Sequence, residues 1–245
     1  MNLRKLSWAP LLSACLAVAQ AASPPDFSGF WMLSRSPPVQ DPVLAAALPP
    51  GTVILDDHGA KEYGRMDFGP LQLRPEALEK ARAWKAADDM TVAAACRIPS
   101  IVYAMQGPFP IEIHQGRDLM VIELEYFDMD RVVFLDGRGP RPADAARTKE
   151  GYSRGRWEGD TLVVETSHIK AATITNNGLD HSDAVTVVER FRLSADGRKL
   201  VATQEFDDPQ TLLNRGARFI TWERVEGDHV HAYDCDPSFA ENYAD

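Results

Sequence analysis

The chain has 245 residues, a formal net charge of -10 and a hydrophobic content of 44%, with 17 prolines, 16 glycines and 3 cysteines. This ordinary globular composition excludes collagen-like, coiled-coil, disulfide-scaffold and fully disordered chains. The acidic balance argues against a nucleic-acid partner, because that binding depends on clustered Lys and Arg. It equally disfavours docking to an anionic membrane surface.

Residues 1–21 have the pattern of a secretory signal peptide. Two basic residues precede a mostly apolar run at residues 6–18, and a small-x-small motif at residues 19–21 supplies a cleavage site. The apolar run is too short to span a bilayer and no later segment is longer, so we expect no transmembrane segment. The sequence predicts a periplasmic or secreted protein. The alternative is a lipoprotein anchored through Cys15, since residues 12–15 have the form of a lipobox.

Removal of the signal peptide leaves two cysteines, Cys96 and Cys235. An even pair in an exported protein favours a disulfide, and two buried thiols that never meet are the alternative. A reactive cysteine is less favoured, because neither residue has a His beside it in the sequence.

In chain order, the mature sequence begins with a Pro- and Ala-rich segment that contains one strand candidate, at residues 27–34. Residues 75–87 predict a helix, because a Pro stands at the start and helix formers follow. From residue 101 onward, the alternation of apolar and polar residues predicts strands. These strands are residues 101–106, 111–115, 119–126, 131–136, 153–157, 161–166, 184–193, 199–206, 218–224 and 229–234.

Several of the predicted strands are separated by tight, Gly-containing turns, at residues 158–160, 195–197 and 226–228. Sequential antiparallel strands most simply close into a barrel. We therefore predict a mainly β fold: an antiparallel, up-and-down, calycin-like β-barrel with one α-helix. Residues 96–245 form the main sheet, and residues 22–95 form an N-terminal extension within the same domain. Loops at residues 137–151 and 169–183 are expected at the barrel ends.

The string GRWEGDTLVVET at residues 155–166 is distinctive, and FLDGR at residues 134–138 and FSGFW at residues 27–31 accompany it. Together these strings resemble a family of secreted, mostly uncharacterised proteobacterial proteins. The resemblance covers nearly the whole mature chain, but it implies no activity. Two positions depart from the family pattern: Tyr152 stands where His is commoner, and residues 234–236 lack a His after the Cys. If the family's site uses those histidines, this chain has altered chemistry.

The Gly-Phe-Trp at residues 29–31 is similar to a motif of lipocalins and other calycins. In that fold the Trp closes the base of the barrel and an Arg from a late strand packs across its face. The resemblance implies this role for Trp31 and for either Arg218 or Arg224.

Charged residues in otherwise apolar rows are the first candidates for chemistry. Alternation along residues 185–193 places Glu189 on an apolar face, and Arg131 lies in a similar row. Glu123 lies in a strand that is apolar on both faces, so its direction stays open. A charge inside a barrel must be paired or face a wet cavity. Glu123 and Glu189 are therefore candidate acid/base residues and Arg131 a candidate ligand-binding residue, with an Arg–Glu lock between strands as the alternative.

Other candidates lie near the predicted strand ends. Asp136, Arg138 and Trp157 are predicted to bind a ligand, although the Asp-Gly-Arg turn is also explained by its shape alone. His181 is a candidate general base, since imidazole titrates near neutrality. His229 and His231 have a spacing that metal sites use, but only Asp234 or Asp236 lies nearby as a further ligand. Tetrahedral zinc normally takes at least three protein ligands, so a solvated edge strand is favoured and no metal is predicted. Gly-rich phosphate loops are missing, so no cofactor is predicted.

The leading functional hypothesis is an exported barrel that binds a small hydrophobic or aromatic molecule. One alternative is a cofactor-free lyase, isomerase or cyclase that uses interior Glu and Arg side chains with a His at the rim. Another is a structural envelope protein without a ligand. The sequence indicates neither the ligand nor the oligomeric state.

Overall fold

The computed structural model describes residues 23–58, 61–135, 137–140 and 142–243. The predicted signal peptide, Cys15 and Asp136 lie outside these residues. The described residues form twelve strands. They are β1 Gly29–Leu33, β2 Val53–Ile54, β3 Ile111–Gln115, β4 Leu119–Leu124, β5 Met129–Leu135, β6 Tyr152–Glu158, β7 Thr161–Ser167, β8 Ala172–Thr175, β9 Leu179–His181, β10 Thr186–Leu193, β11 Lys199–Asp207 and β12 Gly216–Val225.

Nine strands form a closed barrel, which confirms the predicted β-barrel. Their order is β1-β3-β4-β5-β6-β7-β10-β11-β12, and pairing of β12 with β1 closes the ring. The barrel is mixed, because β5 and β6 are parallel while the other neighbours are antiparallel. The long connection between β5 and β6 explains this pairing, since parallel strands need a crossover and cannot be joined by a tight turn. β2 lies parallel to the start of β12, and β8 and β9 form a separate hairpin.

Alternation along the strands decides which side chains fill the barrel. In β10, Val187, Glu189 and Phe191 are buried, whereas Thr186 is exposed. In β5 the buried row includes Arg131 and Val133. Both charged residues therefore share the interior with apolar side chains, as the sequence pattern predicts.

Four short helices accompany the strands: α1 Pro42–Ala46, α2 Pro75–Ala83, α3 Ala86–Asp89 and α4 Ile101–Ala104. The helix predicted at residues 75–87 ends at Ala83, because Trp84 adopts an extended backbone and its indole Nε1 donates to Asp89, at 2.7 Å. Within the described residues, no helix is both long and apolar enough to cross a membrane.

Two strand predictions are wrong. The apolar segment at residues 101–106 contains α4, and Gln204 donates to the Ile101 carbonyl oxygen across 3.0 Å. A short apolar run has no clear period, so helix and strand cannot be separated there by pattern. Residues 229–234 form no strand, because their backbone amides bond to side chains instead: the Tyr233 amide donates to Asp128 Oδ1 at 2.9 Å.

Trp31 in β1 is fully buried. The Arg224 guanidinium lies 4.2 Å from the centre of the Trp31 ring, so Arg224 and not Arg218 covers that ring. Gly29 makes this approach feasible. Its φ is 127°, and a Cβ there would lie 2.8 Å from Arg224 Nη1.

The predicted disulfide between Cys96 and Cys235 is confirmed. It joins residues 139 apart in sequence and fastens the C-terminal segment beside the segment that leads into α4. The bridge therefore holds together two segments that lie outside the barrel strands.

Candidate functional site

The two charged residues predicted inside the barrel meet there. Arg131 donates through Nη2 to Glu189 Oε2, and both side chains are 1% exposed. Arg131 also donates to Ser153 Oγ at 3.1 Å and to Thr166 Oγ1 at 2.9 Å. The contacts span β5, β6, β7 and β10. Because the two charges compensate each other, the pair suits a lock between strands.

Gln204 connects this ion pair to a second one. Its Nε2 donates to Glu189 Oε1 at 3.3 Å, and its Oε1 accepts from Arg218 Nη1 at 3.0 Å. Arg218 in turn forms a two-pronged pair with Asp57, through Nε at 2.9 Å and Nη2 at 2.8 Å. The buried network thus holds two guanidinium groups and two carboxylates. Its hydrogen bonds run between protein groups. Within the described residues, Arg131 Nη1 is the one buried side-chain nitrogen of the network without a partner, so it remains an unused donor in the barrel interior.

The other predicted residues lie apart from this network. Glu123 points outward from β4. Arg138 is exposed, with its Nε 3.3 Å from Asp118 Oδ1. Trp157 packs on Phe27 with ring centres 5.2 Å apart. The structure therefore brings Glu189 and Arg131 together but separates them from Glu123, Arg138 and Trp157.

His181 lies in β9 with both ring nitrogens engaged. Nε2 lies 2.7 Å from Ser100 Oγ, and Nδ1 lies 2.9 Å from the Ser182 carbonyl oxygen. Burial lowers the pKa of His181, so the ring is neutral at neutral pH. A Ser–His contact is a feature of nucleophilic catalysis. Ser100, however, is 0% exposed, so the contact joins α4 to β9 and offers no nucleophile to a substrate.

A cleft of about 310 Å³ lies beside the β8–β9 hairpin. Three half-buried aromatic side chains, Tyr103, Tyr126 and Phe127, form one part of its wall, and Lys149 and Asp180 belong to its polar part. We call it the aromatic cleft. Its lining also includes Asp89 and Arg97, so the cleft combines an aromatic wall with a polar, charged surface. An apolar surface with convergent polar groups is a feature of small-molecule sites.

Further aromatic rings pack against the three aromatic side chains of the cleft. Phe109 stacks on Tyr126 with ring centres 4.7 Å apart, and Tyr233 packs against Phe127 at 4.6 Å. Tyr233 belongs to the C-terminal segment that the Cys96–Cys235 bridge fastens. The disulfide therefore supports the wall of the aromatic cleft.

Burial shifts the titration of the groups in the cleft. It raises the pKa of Tyr126 to about 12, and it raises the pKa of Tyr103, with Glu62 as the second cause, so both phenols are neutral. Burial also lowers the pKa of Lys149, whose Nζ donates to the Ala171 carbonyl oxygen at 2.7 Å. Partial desolvation, followed by the Asp89 carboxylate, raises the pKa of Asp180, although that side chain still reaches solvent. The shifts of Lys149 and Asp180 both favour the neutral forms.

A second cleft, of about 320 Å³, lies on the other side of the same hairpin. Its wall includes Glu76, Lys80, Gln210 and His181, and it shares Asp180 with the aromatic cleft. Asp180 is thus placed where both clefts meet.

Sequence reasoning did not single out the residues of the aromatic cleft. Tyr103 lies in α4, Tyr126 and Phe127 lie in a single 3-10 turn after β4, and Lys149 precedes β6. Only the fold brings these segments together. The one local signal is the string EYFD at residues 125–128, in which an acidic residue stands on each side of two adjacent aromatic residues.

Comparison of the chain with protein-family models gives no matching family, and a search of the curated proteins gives no match. The resemblance of residues 155–166 to a family of secreted proteins stays a prediction.

Proposed function

We propose that the protein binds a small molecule in the aromatic cleft. The ligand has an aromatic or apolar body that packs against Tyr103, Tyr126 and Phe127. It also has a neutral polar group, such as a hydroxyl or carbonyl, that bonds to Lys149 or Asp180. The observation that carries the proposal is the presence of three half-buried aromatic rings in the same cleft as these two groups.

The barrel interior is not part of the proposed site. Glu189, Arg131, Gln204, Arg218 and Asp57 are engaged with one another, so we assign them to the stability of the barrel. The proposed ligand site is therefore the aromatic cleft beside the β8–β9 hairpin and not the barrel interior.

We further propose that the protein is exported and works in the periplasm or outside the cell. The disulfide between Cys96 and Cys235 is compatible with an oxidising compartment. The pattern of residues 1–21 supports the same localisation.

The binding proposal is tested by mass spectrometry of small molecules released from the purified mature protein, residues 22–245. We expect an aromatic or apolar compound, whose affinity is then measured by calorimetry. Tyr126→Leu removes the ring and keeps an apolar side chain, and we expect about fivefold weaker binding. Lys149→Met should weaken binding about tenfold.

Lys199→Met is the matched control, because the Lys199 side chain reaches solvent, lies near Glu223 and lies outside the cleft. Equal affinities of all these proteins would contradict the proposal, and so would a wild-type protein that binds no aromatic compound.

A second candidate function is acid/base catalysis in the same cleft. It is favoured because the pKa of Lys149 is lowered and the pKa of Asp180 is raised, so both values move toward neutral pH. Groups with a pKa nearer neutral pH exchange protons more readily. Asp180→Asn separates the two functions. Loss of turnover with unchanged ligand affinity supports catalysis, and a ligand that wild-type protein leaves chemically unchanged contradicts it.

A further inference from the structure

Three side chains that bind metals in proteins meet on the outer surface of β3 and β4. Glu112 and Glu123 occupy directly opposite positions on the two strands. His114 lies two residues after Glu112, on the same face, with its Nε2 3.5 Å from Glu123 Oε2 and 3.8 Å from Glu112 Oε1. One donor atom from each residue lies within 4.8 Å of the others. We call these three residues the β3–β4 cluster.

The fold places the β3–β4 cluster on rigid backbone. Ile113, between Glu112 and His114, is buried in the core, and so are Ile122 and Leu124 on either side of Glu123. Glu112 is oriented further by the Val230 amide, which donates to its Oε2 at 3.2 Å. The backbone therefore fixes where the three side chains begin, and the Glu112 carboxylate is also oriented.

The two carboxylates of the cluster repel each other, and the nearest nitrogen of a basic side chain is that of His114. Like charges that face each other across a strand pair are destabilising, and Asp130 continues the row opposite Glu123. Within the described part of the chain, no Lys or Arg lies within 4.0 Å of Glu112, Glu123 or Asp130. In contrast, Glu165, an exposed strand carboxylate on β7, is paired with Arg156.

We propose that Glu112, His114 and Glu123 bind a divalent transition-metal ion of the zinc type. An imidazole nitrogen with two carboxylate oxygens suits such an ion, whereas calcium and magnesium prefer oxygen ligands throughout. Two donors about 2.1 Å from a tetrahedral ion are about 3.4 Å apart, which is close to the distances from His114 to the two carboxylates.

Three protein ligands leave one tetrahedral position free. A groove of about 220 Å³ includes Glu123 in its wall and so lies beside the cluster. The cluster shares no residue with the aromatic cleft, so this site is independent of the proposed function. Sequence reasoning considered His229 and His231 and missed the cluster, because its members lie on two strands.

The proposal is tested by titrating Zn²⁺ into the untagged mature protein with its disulfide intact. Isothermal titration calorimetry should show one equivalent of Zn²⁺ bound. His114→Ala and Glu123→Gln should each weaken this binding about tenfold or more. Both residues are partly or fully exposed, and circular dichroism verifies that the variants are folded.

Two variants serve as matched controls. His229→Gln removes an exposed imidazole outside the cluster, and Glu165→Gln removes an exposed strand carboxylate that has a cationic partner. Both should bind Zn²⁺ like the wild type. The proposal is overturned if the wild type binds no Zn²⁺, if His114→Ala binds it equally well, or if His229→Gln loses as much affinity as His114→Ala.

Discussion

Replacement of Glu189 by Gln tests whether the interior network stabilises the barrel. The substitution keeps the size of the side chain but removes the charge that compensates Arg131, which is 1% exposed. Arg131 would keep its bonds to the Ser153 and Thr166 hydroxyl groups, at 3.1 and 2.9 Å, yet neither group is charged. Breaking a buried ion pair on one side costs about 3–5 kcal/mol. For a domain of this size, the loss corresponds to a fall in Tm of about 6–20 °C.

Urea unfolding of the oxidised mature protein measures this loss. Glu165→Gln is the control, because its pair with Arg156 is exposed and should contribute about 1 kcal/mol or less. Adding Arg131→Met to Glu189→Gln should restore part of the lost stability, since no uncompensated guanidinium group remains. A loss below about 1 kcal/mol for Glu189→Gln would refute the assignment of this pair to stability.

Three further results are expected. The pKa of His181 in the folded protein lies below its ordinary value of 6.5, so the unfolded chain binds more protons than the folded one. The free energy of unfolding should therefore decrease as the pH falls below 6.5. His181→Gln should weaken this pH dependence, which urea titrations at several pH values measure. Gly155→Ala would place a Cβ 2.8 Å from a core Leu side chain and should destabilise the protein by about 1–3 kcal/mol in thermal melts, whereas Gly64→Ala, with nothing within 4 Å, should be nearly neutral. Replacing Cys96 and Cys235 with Ser should lower the free energy of unfolding by up to about 5 kcal/mol, because the disulfide constrains a long loop in the unfolded chain. Equal urea midpoints for this variant and the oxidised wild type would contradict the expectation.

The barrel could be predicted from the sequence because its signal is local. Regular alternation along β10 fixes the inward direction of Glu189, and tight turns such as the one at residues 158–160 join neighbouring strands. The parallel pairing of β5 and β6 could not be predicted, since it depends on where a long connection leads the chain before β6 begins. The same limit applies to α4, whose short apolar segment gains its conformation from bonds to β11 and β12.

The candidate sites were harder to predict because they depend on contacts between distant segments. Asp57, which pairs with Arg218, lies in a loop 161 residues away in sequence. The aromatic cleft likewise combines Tyr103 with Lys149 and Asp180 from three separate segments. Alternation predicts that a charge faces inward, but it does not identify the partner that neutralises it.

A crystal structure of the mature protein together with the small molecule that it carries would test the central claim most directly. We predict that the ligand lies in the aromatic cleft, with its ring against Tyr126 and a polar group near Lys149. The network around Glu189 and Arg131 should be unchanged. A ligand found inside the barrel, bonded to Glu189 or Arg131, would contradict the account.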